Sequence, residues 1–301
     1  MPYRLLTDES VEDGIRRVIT EQIERALAEL NDSELGRHET VHQVRKRCKK
    51  IRGALRLVRP ALGKAYAVEN AWYRDAARRI SDLRDAGAMI ESYDDLADRF
   101  GDQVDGRVIR PIRDEFERRR QAAAVDADRA DALLQAFGEA LAEGSNRVAE
   151  LTVDGDGCRA ALAGMRKTYA RARDAMDAVD DDSTPEAFHE WRKRTKYHWY
   201  HMRLLREVWP KAVRARRDEA KRLADLLGDH HDPCVMRAVI LADADAFAGA
   251  SGQQAFLGLI SQRLVELERD SRPLGRRLLA EKPKHLARRF KAYLATWAGD
   301  G

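Results

Sequence analysis

One segment of the sequence carries basic and imidazole side chains at intervals of three, four and seven residues. These residues are His42, Arg45, Lys46, Lys49, Arg52 and Arg56. In an α-helix, residues at such intervals share one face. No acidic residue follows Glu39 in this segment, so i, i+4 ion pairs within the helix cannot neutralise the face. Because arginine chelates phosphate oxygens and lysine acts as a point charge, the stripe predicts binding of a repeating phosphate chain.

A second copy of this pattern lies 147 residues further along the chain. It consists of His189, Arg192, Lys193, Lys196 and Arg203, which align without a gap on His42, Arg45, Lys46, Lys49 and Arg56. The same register gives 14 identities in the 48 positions from His42 to Met89. Low-complexity composition would not hold one register over such a length, so we interpret the pattern as an internal duplication. Retention of the basic positions in both copies indicates a shared function for this face.

Further basic residues extend the predicted anion-binding surface. They are Arg74 and Arg78 in the first half and Lys221 and Arg222 in the second half. Acidic residues surround them, so exposed ion pairs are an alternative role for these four side chains.

Helices must position both stripes. The chain has only 8 prolines and 19 glycines, and the stretches between them are rich in helix-forming residues, which predicts an all-α protein. A Ser10 capping box and helical periodicity place four helices in the first half, at about 11–30, 39–58, 64–100 and from the first turn around Pro111 toward Gly144. After a linker at 153–157, we expect helices at about 158–179, 185–208, 210–247, 253–271 and 283–297.

The predicted fold is a single all-α domain over residues 1–301. It contains two pseudo-symmetric four-helix bundles from an internal duplication, at about 7–150 and 157–299, plus a C-terminal helix. We expect the apolar stripes next to the basic ones to be buried in the core. They comprise Val41, Val44, Cys48, Ile51, Leu55 and Val58 in the first copy and Phe188, Trp191, Met202 and Leu205 in the second. Packing about a pseudo-two-fold axis would bring the basic stripes into one channel, with a local positive potential well above the net charge.

Composition bounds the remaining possibilities. The 301 residues include 55 Lys and Arg against 51 Asp and Glu, a net charge of only +4, with 44% hydrophobic content. Three widely spaced cysteines argue against a disulfide framework and a C-x-x-C zinc site. No apolar run reaches the roughly 18 residues of a membrane span, and no signal-peptide core is visible near Met1. We expect a soluble cytoplasmic protein with no membrane partner.

At the duplicated motif the chain resembles the CHAD family, the conserved histidine α-helical domain. The residues that carry the resemblance are His42-x-x-Arg45-Lys46-x-x-Lys49 with Arg56, His189-x-x-Arg192-Lys193-x-x-Lys196 with Arg203, and the segments Arg84-Asp85 and Leu227-Gly228-Asp229-His230-His231-Asp232. The resemblance covers nearly the whole chain. It implies two four-helix bundles that bind inorganic polyphosphate in a basic channel between them, and association with polyphosphate granules and granule proteins. Arg84 stands where the second copy has His231, and Ser81 stands where it has Gly228.

The resemblance implies binding without catalysis. Some members of the family are fused to a triphosphate-tunnel (CYTH) domain, and we expect none in this chain because no strand pattern of such a β-barrel precedes the first helix. No Gly-rich phosphate loop or nucleophile elbow appears either. The sequence therefore predicts a non-enzymatic protein with no cofactor and no metal.

A metal-dependent phosphohydrolase is one alternative, built on His230-His231-Asp232 with His189. Neighbouring residues on a helix point about 100° apart, and the first copy has Leu83-Arg84-Asp85 in register. We therefore expect Asp85 and Asp232 to hold a neighbouring arginine or to cap a helix, and the motif histidines to be hydrogen-bonding groups near the phosphate path.

Nonspecific nucleic-acid binding is the other alternative, because phosphate contacts would also hold RNA or DNA. Aromatic residues that could stack on bases lie near the second basic face, at Trp191, Tyr197, Trp199 and Tyr200. The first copy has Val44, Lys50, Arg52 and Gly53 at these positions. Since the aromatic group is not repeated and Trp191 belongs to the apolar stripe, we expect core packing and regard a nucleic-acid partner as the weaker interpretation.

Overall fold

The computed structural model describes residues 3–124, 127–247 and 250–297; within these ranges it leaves out the side chains at 82–86, 123, 124, 127, 128, 250 and 251. The described chain is helical and without strands. Its α-helices are α1 (Val11–Leu30), α2 (Arg37–Leu57), α3 (Gly63–Arg79), α4 (Asp82–Arg99), α5 (Gly106–Ala124), α6 (Ala127–Ala149), α7 (Gly157–Asp181), α8 (Pro185–Leu204), α9 (Pro210–Ala242), α10 (Ala250–Leu278) and α11 (Pro283–Trp297). None of these described helices is both long enough and apolar enough to cross a membrane.

Capping residues visible in the sequence set the starts of several helices. The Ser10 hydroxyl accepts a hydrogen bond from the Asp13 N–H at 3.0 Å, which confirms the predicted start of α1. Asp156 caps α7 and Thr184 caps α8 in the same way, each through the N–H three residues further on. The predicted bounds of α2, α7, α8 and α11 lie within a few residues of the observed ones.

The prediction of one helix over 64–100 is wrong, because the chain breaks between α3 and α4. The break falls at Ile80 and Ser81. The Ser81 hydroxyl donates to the Arg78 carbonyl at 2.6 Å, a local bond that competes with continuation of the helix. At the register-equivalent positions in the second half, α9 runs on without interruption.

The predicted helix from Pro111 toward Gly144 is also wrong. Helix α5 begins at Gly106, places Pro111 in its second turn and ends at Ala124, and α6 begins at Ala127. The described part of the first half therefore contains six helices, where the sequence predicted four.

Two apolar cores hold the helices together, and each contains residues from both halves of the chain. The larger core buries the predicted stripes of α2 and α8, including Val44 and Trp191 at 0% exposure. The smaller core joins α4 and α5 to the second part of α9 and the first part of α10. In it, Tyr93 stacks on Phe256 with ring centroids 5.0 Å apart. The two halves are therefore interlocked at both cores.

Helices α2 and α8 touch where a glycine faces a tyrosine. A Cβ added at Gly53 would lie 3.1 Å from Cβ of Tyr200, so the absence of a side chain lets the ring fit. One residue further along, His201 donates from Nε2 to the Gly53 carbonyl at 3.2 Å. Gly53 and Tyr200 occupy equivalent positions in the 147-residue register. This contact brings the two basic stripes side by side.

Candidate anion-binding cleft

A cleft of about 1080 Å³ opens beside the contact between α2 and α8, and its other walls come from α4, α5 and α9. Nine of the residues predicted from the sequence line it. These are His42, Arg45, Lys49, Arg52 and Arg56 from α2 and His189, Arg192, Lys193 and Lys196 from α8. The structure therefore brings together most of both stripes, which lie far apart in the chain.

The lining has a strong positive excess. It contains nine lysines and arginines against three aspartates, a formal charge of +6, whereas the whole chain carries +4. The aspartates, Asp225, Asp229 and Asp232, all lie on α9. The basic walls are thus α2 and α8, and the wall that faces them from α9 is acidic, with three carboxylates and no lysine or arginine in the described part of the lining. Fixed positive charges around a concave surface raise the local concentration of anions.

Six predicted residues lie outside the lining. Arg203 packs instead against Tyr3 and Trp199, with its guanidinium about 5 Å from both ring centroids. Arg74 pairs with Asp75 at 2.7 Å and Lys221 with Asp225 at 2.5 Å, the exposed ion pairs considered as their alternative role. Lys46 bonds to Gln43 at 3.3 Å, and Arg78 and Arg222 are exposed on other helix faces.

Lys196 is a lysine of the lining whose protonation is perturbed. Burial, together with repulsion from the adjacent Arg192, lowers the pKa of its ammonium group to about 8. Among the described residues it forms no ion pair with a carboxylate. The Arg192 guanidinium lies against Gly228, where a Cβ would sit 3.4 Å from its Nε. Asp225 and Asp232 on α9 attract Lys196 without forming an ion pair with it, and Arg192 repels it, so a bound anion would stabilise the two cations.

A pair of imidazoles forms one edge of the cleft. Nδ1 of His189 lies 3.1 Å from Nδ1 of His231, so one ring donates a hydrogen bond to the other. Burial and the nearby Lys193 lower the pKa of His189, and burial together with His189 lowers the pKa of His231 to about 3. Both rings are therefore neutral near pH 7. His189 is thus a hydrogen-bonding group that lines the cleft.

The side chains of the predicted His-His-Asp motif diverge. His230 is 3% exposed, stacks on Phe188 with centroids 4.1 Å apart, and places Nε2 3.3 Å from Glu268. Asp232 lies in the middle of α9 and lines the cleft, so of its two predicted roles, holding an arginine or capping a helix, the second is wrong. The side chain of Asp85 lies outside the described residues. Within the described part of the chain, no three His, Cys, Asp or Glu side chains are grouped as a metal site.

The aromatic residues of α8 are not available to stack on nucleic-acid bases. Trp191 is fully buried, as predicted, and Tyr200 is 1% exposed and stacks on Trp199 at 5.0 Å. Tyr197 lines the cleft, but the guanidinium of Arg56 covers its ring at 4.0 Å. Cation–π contact with Arg56 therefore occupies the face that a base would need.

Several lining residues were not predicted as site residues. Arg194 is the register equivalent of Arg47 and belongs to the repeated motif, so the alignment could have indicated it. Arg119 reaches the cleft from α5, where it also bonds Glu115 at 2.7 Å. Its position in the cleft depends on how α5 packs against the second half of the chain. No local sequence pattern predicts that packing.

A family model of the CHAD domain matches residues 17–241, three quarters of the chain. The chain belongs to the CHAD family. The match includes α2, α8 and most of α9, and so covers the basic walls of the cleft. A crystal structure of the CHAD domain from the plant Ricinus communis superposes with a TM-score of 0.61 and 18% identity, covering 92% of this chain and 94% of that one. This likeness supports the all-α CHAD fold.

Two curated relatives come from Mycobacterium tuberculosis, one from strain H37Rv and one from strain CDC 1551. Both are uncharacterised proteins that are 29% identical over 272 residues, covering 85% of this chain. The chain spans about half the length of these relatives.

Proposed function

We propose that this CHAD protein binds inorganic polyphosphate in the cleft between α2, α8 and α9, without catalysing a reaction. The observation that carries the proposal is the convergence of two basic stripes, 147 residues apart in the chain, on one concave surface with a formal charge of +6. The resemblance of the duplicated motif to polyphosphate-binding CHAD domains points to the same ligand. Association with polyphosphate granules in the cytoplasm, and with the proteins found there, belongs to the same proposal.

The described lining of the cleft offers charged groups to a phosphate chain and no surface that recognises bases. A polyphosphate chain presents one negative charge per phosphate and no aromatic surface. Guanidinium and ammonium groups can therefore make all the ion pairs and hydrogen bonds that its phosphate oxygens require. Arg52 and Arg56 both contact the Asn70 side-chain oxygen, which fixes their guanidiniums without neutralising them. The ring of Tyr197 is covered by Arg56, so a single-stranded nucleic acid would gain phosphate contacts here but little stacking.

The proposal predicts that reversing two charges of the lining abolishes tight binding. In the variant Lys49→Glu/Lys196→Glu, each substitution removes a charged hydrogen bond of about 1.5–3 kcal/mol, so affinity should fall by about 10²- to 10⁴-fold. The measurement is a calorimetric titration with long-chain polyphosphate at roughly physiological ionic strength, where charges far from the cleft are screened. Circular dichroism checks that helicity is retained.

A matched control is available at the start of α3 and α9. Lys64 and Lys211 are register equivalents, both exposed and both outside the lining. The variant Lys64→Glu/Lys211→Glu makes the same change of charge, and glutamate is favourable near a helix N-terminus. It should bind within about threefold of wild type, since screened charges contribute little. Equal loss in both variants would show that only total charge matters and would remove the cleft from the explanation.

Competition separates polyphosphate from nucleic acid. Single-stranded RNA and orthophosphate are added to the polyphosphate complex at equal phosphate concentration. Failure of RNA to displace the polymer supports the proposal, whereas displacement at equal concentrations would favour a general polyanion-binding protein.

A further inference from the structure

A second, much smaller basic pocket adjoins the cleft where α2 ends. It is lined by five cationic residues, Arg56, Arg59, Lys167, Arg171 and Arg194. Arg56, Arg194 and Tyr197 line both spaces, so the pocket and the cleft share a wall. The pocket has a volume of about 10 Å³, enough for one water-sized group such as a phosphate oxygen.

Close helix packing holds these cations together. Helix α7 meets the last turn of α2 at Gly164, where an added Cβ would lie 1.9 Å from the Leu57 carbonyl oxygen. Only glycine permits this approach. Lys167 and Arg171 follow Gly164 on the same face of α7 and are therefore fixed beside Arg59. Repulsion from Arg59 is the main cause of a lowered pKa at Lys167, consistent with that proximity.

The charges in this pocket are poorly compensated. Within the described residues, Arg59, Lys167 and Arg171 form no ion pair, and the Arg59 guanidinium lies over the Tyr66 ring at 4.6 Å. Arg194 pairs with Glu190, which is the one carboxylate that the described structure places on the cluster. Like charges held together in this way cost free energy unless an anion joins them.

We infer that a phosphate chain bound in the cleft leaves it past Arg56 and Arg194, and that its next phosphates bind to Arg59, Lys167 and Arg171. This inference rests on the proposed function. It assigns to α7 an extension site that a short chain filling only the cleft does not reach. Long chains therefore gain contacts that short ones lack, which makes the protein selective for chain length.

The test compares two ligands and two variants. The variant Lys167→Glu/Arg171→Glu reverses the charges on α7. Its matched control is Lys284→Glu/Arg288→Glu, the same residue types at the same i, i+4 spacing, exposed on α11 and outside both spaces. Each protein is titrated with long-chain polyphosphate and with tripolyphosphate at several salt concentrations. A Lys167→Gln/Arg171→Gln variant replaces the first if circular dichroism shows that the charge reversal prevents folding.

We expect the α7 variant to lose about tenfold or more in affinity for the long chain while tripolyphosphate binding stays within about twofold. The slope of log K against log salt should become shallower by about 1.4, two contacts at about 0.7 each. An unchanged affinity for the long chain would overturn the extension site. An equal loss of affinity for both ligands would also overturn it, because that result is expected if the cations only stabilise the end of α2. Wild-type protein that binds neither ligand would refute the proposed function instead.

Discussion

The lowered pKa of Lys196 makes polyphosphate binding dependent on pH in the mildly alkaline range. With a pKa of about 8 in the free protein, its charged fraction is about 0.9 at pH 7 and about 0.1 at pH 9. A bound polyanion favours the charged form. If the bound polyanion restores the pKa of Lys196 to the ordinary value of 10.5, Lys196 stays protonated in the complex at both pH values. The association constant should then fall about tenfold between pH 7 and pH 9, or about 1.4 kcal/mol.

The assay is a titration with long-chain polyphosphate at pH 7, 8 and 9 at constant ionic strength. Lys196→Arg keeps the charge and removes the titration, so its affinity should change little over the same range. Burial also lowers the pKa of Lys50, to about 7, but this residue is 6% exposed and outside the cleft lining. Lys50→Met should therefore retain most of the pH dependence. A tenfold fall that persists in Lys196→Arg would refute the assignment of the effect to Lys196.

Two further predictions concern stability. Trp191→Ala should lower the free energy of unfolding by about 3–5 kcal/mol, because the ring is fully buried and fills the space opposite Gly275. Urea denaturation measures this free energy. A loss below about 1 kcal/mol would contradict the place of Trp191 in the core. Burial lowers the pKa of His201 to about 3. The unfolded state then binds an additional proton below about pH 6.5, and wild-type stability should fall as the pH drops from there toward 3. His201→Gln retains a donor for the Gly53 carbonyl without titrating, so its thermal denaturation midpoint should depend less on pH in that window; an unchanged dependence would show that other groups cause it.

Local sequence patterns predicted the helices that carry the site. The apolar stripe from Val41 to Val58 is buried as the helical periodicity requires, and the basic stripe beside it consequently faces the cleft. The Thr184 side chain caps α8, one of these helices, and fixes where it begins. These features depend on neighbours three or four residues apart, which a sequence displays directly.

The remaining features depend on contacts between distant segments. The break at Ser81 contains no proline or glycine, whereas the equivalent Gly228 lies inside an unbroken helix. Helix-breaking residues therefore favoured the wrong place for a break. Arg203 matches Arg56 in the register but packs against the N-terminal Tyr3, a contact that the first copy lacks. The aspartates of α9 and the cations of α7 joined the basic surfaces only through tertiary packing.

The glycine-to-tyrosine contact between α2 and α8 bears on how a protein of this kind can arise. A symmetric dimer of one half would place the same residue at both equivalent positions. Two tyrosines would overlap where a Cβ at Gly53 already comes within 3.1 Å of the ring, and two glycines would leave a void in the core. If the two copies arose by internal duplication, as we interpret the repeat, one polypeptide allows one of these positions to become small while its counterpart becomes large. The copies would then have diverged at the contact between α2 and α8 while each kept its own row of positive charge.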